Sequence, residues 1–196
     1  MQKRLSIKTF TFVVLFTLFT PTKSFAENED QAWQALRNGK AIAILRHALA
    51  PSGVDNSNLT RDDCKGERNL SQQGREQAKS IGIVFRERGI SEAQVYTSKL
   101  CRSFDTAELL DFISPEILPV INGFFPQRTS SPEQTAELKT WISKQLSEPN
   151  KPIILVTHGF NITDLTGEYV AQGEFLIISM QGDSVSTLLR VNTLPK

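Results

Sequence analysis

The sequence predicts an α/β domain in which helices cover a mostly parallel sheet. Short apolar runs of strand length alternate with stretches of helical spacing along most of the chain, and that alternation is typical of α/β folds. Hydrophobic residues make up 39% of the chain and charged residues 22%, which suffices for a core and excludes a disordered or fibrous protein. The length of 196 residues fits one domain.

The first predicted elements form a helix–strand–helix unit. Asp30–Asn38 predicts a short helix that ends at Gly39, and Ala41–Leu45 is an apolar run of strand length. A polar loop follows over residues 51–69, where turn-forming residues are frequent. Ser71 then predicts a helix N-cap, and apolar residues at helical spacing continue until Gly89 stops the helix.

The second half predicts five further strands and three further helices. Apolar runs and helical spacing place them, in chain order, at strand Ala93–Thr97, helix Leu100–Asp111, a short strand at Ile117-Leu118, a loop over 121–132, helix Glu133–Leu146, strand Pro152–Thr157, helix Ile162–Val170, and strands Phe175–Met180 and Val185–Val191. The last two strands are predicted to pair around Gln181-Gly182-Asp183.

Residues 1–26 predict a secretory signal peptide, which leaves a mature domain of 27–196. Lys3 and Arg4 form a basic start, Phe10–Phe19 is apolar, and small residues at 24 and 26 suit signal peptidase. The apolar stretch is shorter than the roughly 20 residues of a membrane span, although an uncleaved anchor is the alternative. We therefore expect a periplasmic or secreted protein with no membrane span after signal removal.

The charge balance gives no sign of nucleic-acid binding. The net charge is +1; residues 1–26 hold four basic residues and no acid, so +4 lies there and −3 in the remainder. Nucleic-acid binders carry a basic surplus, and this chain has none.

Cys64 and Cys101 are the only cysteines. In an oxidising compartment they can form a disulfide, and two buried free thiols are the alternative. The sequence does not favour zinc, because no close cysteine or histidine pair has ligand spacing. No other cofactor is expected.

Both histidines of the chain directly follow short apolar strands. His47 comes after Arg46 at the end of the first strand, and His158 comes after Thr157. In open α/β sheets the ligand crevice lies beyond the carboxyl ends of the strands. The two imidazoles are therefore expected at the same edge, although a structural histidine at a strand end is the simpler interpretation.

A further basic residue is expected at this edge. Ser98 ends the second strand, and Arg102 and Thr106 follow at intervals of four, so that Arg102 and Thr106 share a helix face. Arg102 lies near the helix N-terminus, where the dipole already attracts anions and a cation is unfavourable. That placement indicates an anion site, with a solvated arginine as the alternative.

Two guanidinium groups and two imidazoles suit a phosphoryl group. Arginine binds phosphate oxygens in bidentate fashion, and an imidazole can attack phosphorus to form a covalent intermediate. The remaining groups would neutralise transition-state charge. The sequence contains neither a P-loop nor an acidic metal cage, so it favours metal-free phosphoryl transfer.

Four motifs, in order, resemble those of the histidine phosphatase superfamily. They are Leu45-Arg46-His47-Ala48, Asn69-Leu70-Ser71-x-x-Gly74-x-x-Gln77-Ala78, Ser98-x-x-x-Arg102-x-x-x-Thr106-Ala107 and Val156-Thr157-His158-Gly159. The resemblance implies a three-layer α/β/α sandwich and a phosphohistidine intermediate. It makes His47 the nucleophile, with Arg46, Arg102 and His158 binding the phosphoryl group. It implies a phosphomonoesterase acting on a phosphorylated small molecule or glycan, similar to phosphohistidine phosphatases or exported lipopolysaccharide-core heptose phosphatases.

Two alternatives follow from departures from the family pattern. The residues after His47 differ from the Gly-Glu of the mutase-like branch, so a mutase is not favoured. The usual acidic proton donor is not recognisable, and a binding or sensor protein that retains the pocket is the alternative to an enzyme. The carboxylates that could supply the proton are Asp55, Asp62, Asp63, Glu67, Glu168 and Glu174.

Overall fold

A computed structural model describes residues 25–53, 64–123, 131–148 and 151–193. Helices and strands alternate along the chain as α1 (Phe25–Arg37), β1 (Ile42–Arg46), α2 (Gln72–Glu87), β2 (Gln94–Thr97), α3 (Cys101–Leu109), β3 (Glu116–Ile117), α4 (Ser131–Ser147), β4 (Ile153–Thr157), α5 (Gly159–Thr166), β5 (Phe175–Gln181) and β6 (Ser184–Val191). Short 3-10 turns lie at Cys64–Gly66 and Pro119–Ile121.

The strands form one sheet in the order β3-β2-β4-β1-β5-β6. Neighbours among β3, β2, β4 and β1 are parallel, whereas β5 runs antiparallel to β1 and to β6. The prediction of a mostly parallel sheet is therefore confirmed. The antiparallel part is the predicted hairpin, which turns at Gly182, where φ is 59°.

Alternate side chains of the central strands point to opposite faces and build two cores. On one face Ala43 and Leu45 pack with Trp33 of α1 and Phe85 of α2; on the other, Ile44 packs against α4 and α5. The Phe85 ring stacks on Phe175 with centroids 4.7 Å apart. Helices thus cover both faces, which confirms the three-layer α/β/α sandwich.

Local capping explains where helix α2 begins and ends. The Ser71 side chain accepts a hydrogen bond from the Gly74 amide at 3.0 Å, as the N-cap prediction requires. Gly89, which adopts φ of 80°, follows the helix as predicted.

The predicted bounds of α5 are wrong at both ends. The helix begins at Gly159 and stops at Thr166 rather than at Val170. Gly167 takes a left-handed conformation with φ of 78° as the C-cap, and glycine adopts that conformation without steric cost. The residues after it form a loop that reaches the sheet edge, where they contact Arg46.

Two further boundaries differ from the prediction. Helix α1 begins at Phe25 rather than Asp30, and α4 begins at Ser131, inside the predicted loop over 121–132. Residues 1–24, which hold most of the predicted signal peptide, lie outside the described residues, as do 124–130. None of the described helices is long and apolar enough to span a membrane.

Candidate active site

The two histidines lie side by side at the carboxyl edge of the sheet. Strands β1 and β4 are parallel neighbours in which Arg46 pairs with Thr157, so His47 and His158 are the next residues on adjacent strands. Their ring centroids are 5.6 Å apart. The expectation that both imidazoles share one edge is confirmed.

The ring of His47 has a defined orientation. The His47 amide donates to the Thr157 carbonyl at 2.9 Å, and the ring Nδ1 lies 2.9 Å from the carbonyl oxygen of Ala48. A carbonyl oxygen only accepts hydrogen bonds, so Nδ1 carries the proton. The lone pair of the neutral ring is therefore on Nε2, the nitrogen that can attack an electrophile.

The charge state of both imidazoles follows from their surroundings. Burial, followed by the positive charges of Arg102 and Arg46, lowers the pKa of His47 from 6.5 to about 3. Burial and the neighbouring His47 hold the pKa of His158 well below its ordinary value. Both rings are consequently neutral at physiological pH.

Arg102 lies within the protein and not in solvent. It is the second residue of α3, whose N-cap Leu100 makes no side-chain capping bond, and it is only 4% exposed. Its positive charge acts on both imidazoles. The solvated alternative for Arg102 is therefore wrong, and a buried cation at a helix N-terminus favours an anion nearby.

Thr106 connects helix α3 with the segment after His47. Its hydroxyl donates to the Arg102 carbonyl at 2.7 Å and accepts from the Ala48 amide at 3.0 Å. The interval of four residues seen in the sequence thus places one face of α3 against the site.

Arg46 is held at the carboxyl edge of the sheet by the loop after α5. Its Nη1 donates to the Val170 carbonyl at 2.9 Å and to the Tyr169 hydroxyl at 3.3 Å. The guanidinium carbon is 5.8 Å from the centre of the Tyr169 ring. A Cβ at Gly159 would lie 3.4 Å from that carbon, so the guanidinium lies against the start of α5. Among the described residues, the buried Nε has no hydrogen-bond partner.

The second motif supports the chain that carries His47. A Cβ at Gly74 would lie 2.0 Å from the Leu49 carbonyl oxygen, so only glycine allows α2 to approach this closely. The Leu49 amide donates to Gln77 Oε1 at 3.0 Å, and Gln77 Nε2 donates to the Gln172 carbonyl at 3.1 Å. The Gly173 amide in turn donates to the carbonyl of His47 at 3.0 Å.

The candidate proton donors fall into two groups. Hydrogen bonds from Thr187 and Arg190 lower the pKa of Glu168, which keeps it ionised. Glu174 pairs with Arg190 at 3.0 Å and accepts from the Ala171 amide. Both of these carboxylates are thus paired with Arg190.

The remaining carboxylates lie in the loop after His47. Glu67 accepts from the Cys101 amide at 2.7 Å, next to the start of α3. Asp55, Asp62 and Asp63 lie outside the described residues.

A disulfide connects the loop after His47 with helix α3. Cys64 and Cys101 are joined, with Cα atoms 5.9 Å apart. The pairing predicted from the sequence is thereby confirmed, and the alternative of two free thiols is wrong. Since Cys101 precedes Arg102, the crosslink holds this loop against the start of the helix that carries the buried guanidinium.

Three contributors were not singled out as site residues from the sequence. Ser98 Oγ lies 2.7 Å from His158 Nε2, Tyr169 contacts Arg46, and the charge of Arg68 acts on both imidazoles. The position of Ser98 at a strand end could have indicated its contact. No pattern in the sequence indicates Tyr169. Within the described ranges, no group of three or more His, Cys, Asp or Glu side chains is placed to hold a metal ion.

Fold and site together define an α/β protein with two adjacent imidazoles and a buried arginine at the carboxyl edge of its sheet. Residues 42–121 match the family model of the histidine phosphatase superfamily, branch 1. This similarity, which spans the first histidine and the buried arginine, supports phosphatase activity. No curated protein matches the chain.

Solved structures share the fold at low identity. The protein histidine phosphatase SixA, complexed with tungstate, is 15% identical with a TM-score of 0.56; the match covers 78% of this chain and 97% of that one. Phosphoserine phosphatase from Entamoeba histolytica, with 3-phosphoglyceric acid, is 11% identical, scores 0.58 and covers 78% and 96%. YhfR of Bacillus stearothermophilus is 15% identical, scores 0.55 and covers 75% and 94%. These solved structures show that the chain has the same fold as several phosphatases.

Proposed function

We propose that this protein is an extracytoplasmic phosphomonoesterase that works through a phosphohistidine on His47. The observation that carries the proposal is the neutral ring of His47, whose Nδ1 is engaged with the Ala48 carbonyl while Nε2 keeps its lone pair. Arg46, Arg102 and His158 surround it and bind the phosphoryl group. The substrate is a phosphorylated small molecule or glycan.

In the first step His47 Nε2 attacks phosphorus, and the bond from phosphorus to the ester oxygen breaks. The released alcohol takes a proton from an acid or from water. Because Nδ1–H already faces a carbonyl acceptor, the positive charge that develops on the ring is stabilised at that atom. Two guanidinium groups neutralise the oxygens of the transferring group.

In the second step water attacks the phosphohistidine, and the bond between nitrogen and phosphorus breaks. Inorganic phosphate leaves, and His47 returns to its neutral state. We propose that no metal takes part, since Arg46 and Arg102 supply the charge that a cation would supply. The structurally similar SixA was solved in complex with tungstate, a tetrahedral anion like phosphate, and this supports an oxyanion ligand for the present fold.

The proposed location rests on the N-terminal sequence. Export with cleavage after Ala26 predicts a mature chain that starts at Glu27. N-terminal sequencing of the protein from the periplasm or medium tests this directly. A full-length chain retained in the cytoplasm would contradict the proposed location.

The catalytic proposal is tested with His47→Gln assayed on p-nitrophenyl phosphate in the presence of EDTA. We expect a loss of kcat of about a thousandfold or more, as removal of a nucleophile produces elsewhere. Ser103→Ala is the matched control, since Ser103 is buried and its hydroxyl has no hydrogen-bond partner among the described residues. Turnover by His47→Gln equal to that of the parent would exclude the nucleophile role.

A second experiment separates an enzyme from a binding protein. Brief mixing with a phosphomonoester, followed by alkaline quench, is expected to trap a base-stable phosphate on His47 that mass spectrometry locates. Vanadate binding without any turnover across a panel of alkyl, aryl and sugar phosphates would instead support a sensor.

A further inference from the structure

The structure contains a buried pair, Ser98 and His158, of which the proposed chemistry uses only the histidine. Ser98 directly follows β2, beside β4, and its side chain is fully buried. Its Oγ lies 2.7 Å from Nε2 of His158, which is itself 7% exposed. This short contact decides which nitrogen of His158 carries the ring proton.

Hydrogen-bond satisfaction selects the direction of this bond. Within the described part of the chain, Ser98 Oγ has no second hydrogen-bond partner. If Nε2 donated to Oγ, the hydroxyl proton would lack an acceptor in a buried location, which costs about 1–3 kcal/mol. If the hydroxyl donates to Nε2, the proton is satisfied. The ring proton of neutral His158 then resides on Nδ1.

The surroundings of the ring fit the same assignment. A Cβ at Gly123 would lie 3.2 Å from Cδ2 and 3.5 Å from Nε2 of His158, so this loop and Ser98 together occupy the Cδ2–Nε2 edge. The Nδ1 edge remains for a ligand beside His47, Arg46 and Arg102. A neutral imidazole attracts an oxyanion only through an N–H group, and its lone pair would repel one.

We propose that Ser98 is a positioning residue, which holds His158 in the tautomer with the proton on Nδ1, so that Nδ1–H donates to a phosphoryl oxygen. The donation to substrate rests on the proposed function, whereas the tautomer is a property of the free protein. The two parts can therefore be tested separately.

The tautomer is measured by long-range proton–nitrogen NMR of the labelled full chain at neutral pH. The chain has only two histidines, so His47→Gln leaves a single imidazole to observe. We expect a protonated, pyrrole-type shift for Nδ1 of His158 and an unprotonated, pyridine-type shift for Nε2. The opposite pattern overturns the inference, whatever the activity of the protein.

Ser98→Ala tests the positioning role. We expect the His158 signals to move toward the other tautomer or an average of the two, and kcat/KM to fall roughly 10- to 100-fold, below the full cost of one oxyanion donor. Ser103→Ala, a buried serine without a hydrogen-bond partner within the described ranges, keeps both values. Ser98→Thr, which retains the hydroxyl, is expected to keep the parent tautomer.

The outcomes distinguish this inference from the proposed function. An inactive parent with the proton on Nδ1 contradicts the phosphatase proposal alone. An active parent with the proton on Nε2 contradicts the role of Ser98 alone. If Ser98→Ala lowers stability while the His158 tautomer stays unchanged, Ser98 has a merely structural role and the inference is wrong.

Discussion

Removal of the disulfide is expected to destabilise the protein by a predictable amount. The double substitution Cys64→Ala/Cys101→Ala opens a crosslink between residues 37 positions apart. In the chain-entropy treatment, a loop of this length contributes about 4 kcal/mol, because the crosslink restricts the unfolded chain. The Ala side chains leave the hydrogen bond from the Cys101 amide to Glu67 available, so the folded state loses little else.

Urea unfolding at pH 7, followed by circular dichroism, measures this loss in the absence of reductant. The parent unfolded in the presence of reductant serves as the matched control, since without its disulfide it should unfold at the same urea concentration as the double variant. A difference between oxidised parent and double variant below about 1 kcal/mol would refute the argument from loop length.

The same pair of proteins reports on the pocket. The crosslink lies next to Arg102 at the start of α3, so its loss is expected to weaken vanadate binding severalfold in calorimetry. Unchanged vanadate affinity in the double variant would show that the disulfide stabilises the fold without positioning Arg102.

Three further substitutions test separate contacts. Gly74→Ala places a Cβ 2.0 Å from the Leu49 carbonyl and is expected to cost about 2 kcal/mol or more in urea unfolding; parent-like stability would contradict the close approach. Burial lowers the pKa of His47 from 6.5 to about 3, so between pH 7 and 5 only the unfolded chain gains a proton at this residue. His47→Asn should therefore reduce the loss of folding stability between pH 7 and 5 by about 2 kcal/mol. An unchanged pH dependence of stability would contradict the neutral buried ring. Tyr169→Phe removes an acceptor from Arg46 and should raise KM by roughly two- to tenfold at constant kcat; an equal loss of kcat would place Tyr169 in the chemical step.

The sequence is sufficient to predict the architecture of the site, because that architecture rests on periodicity and strand ends. Apolar runs locate β1 and β4, and the histidines that follow them must share an edge once the strands are parallel. The helix face of Arg102 and Thr106 follows from their spacing. These are local properties, and the structure agrees with them.

Features that depend on tertiary packing could not be predicted. No sequence pattern indicates that β5 lies next to β1, because the order of strands in a sheet depends on packing between segments that are distant in the chain. The predicted end of α5 at Val170 is wrong because Gly167 ends the helix, although the apolar pattern of helical spacing continues beyond it. The contact of Tyr169 with Arg46 depends on the path of the loop that this early stop creates.

Backbone register brings the two imidazoles together. Adjacent strands in a sheet lie about 4.8 Å apart, and the pairing of Arg46 with Thr157 puts His47 and His158 next in line, with ring centroids 5.6 Å apart. The distance between the two rings is thus set by the backbone pairing of β1 with β4, which surface mutations hardly alter. Changes in the loops around this edge can consequently leave the distance between the two rings unchanged.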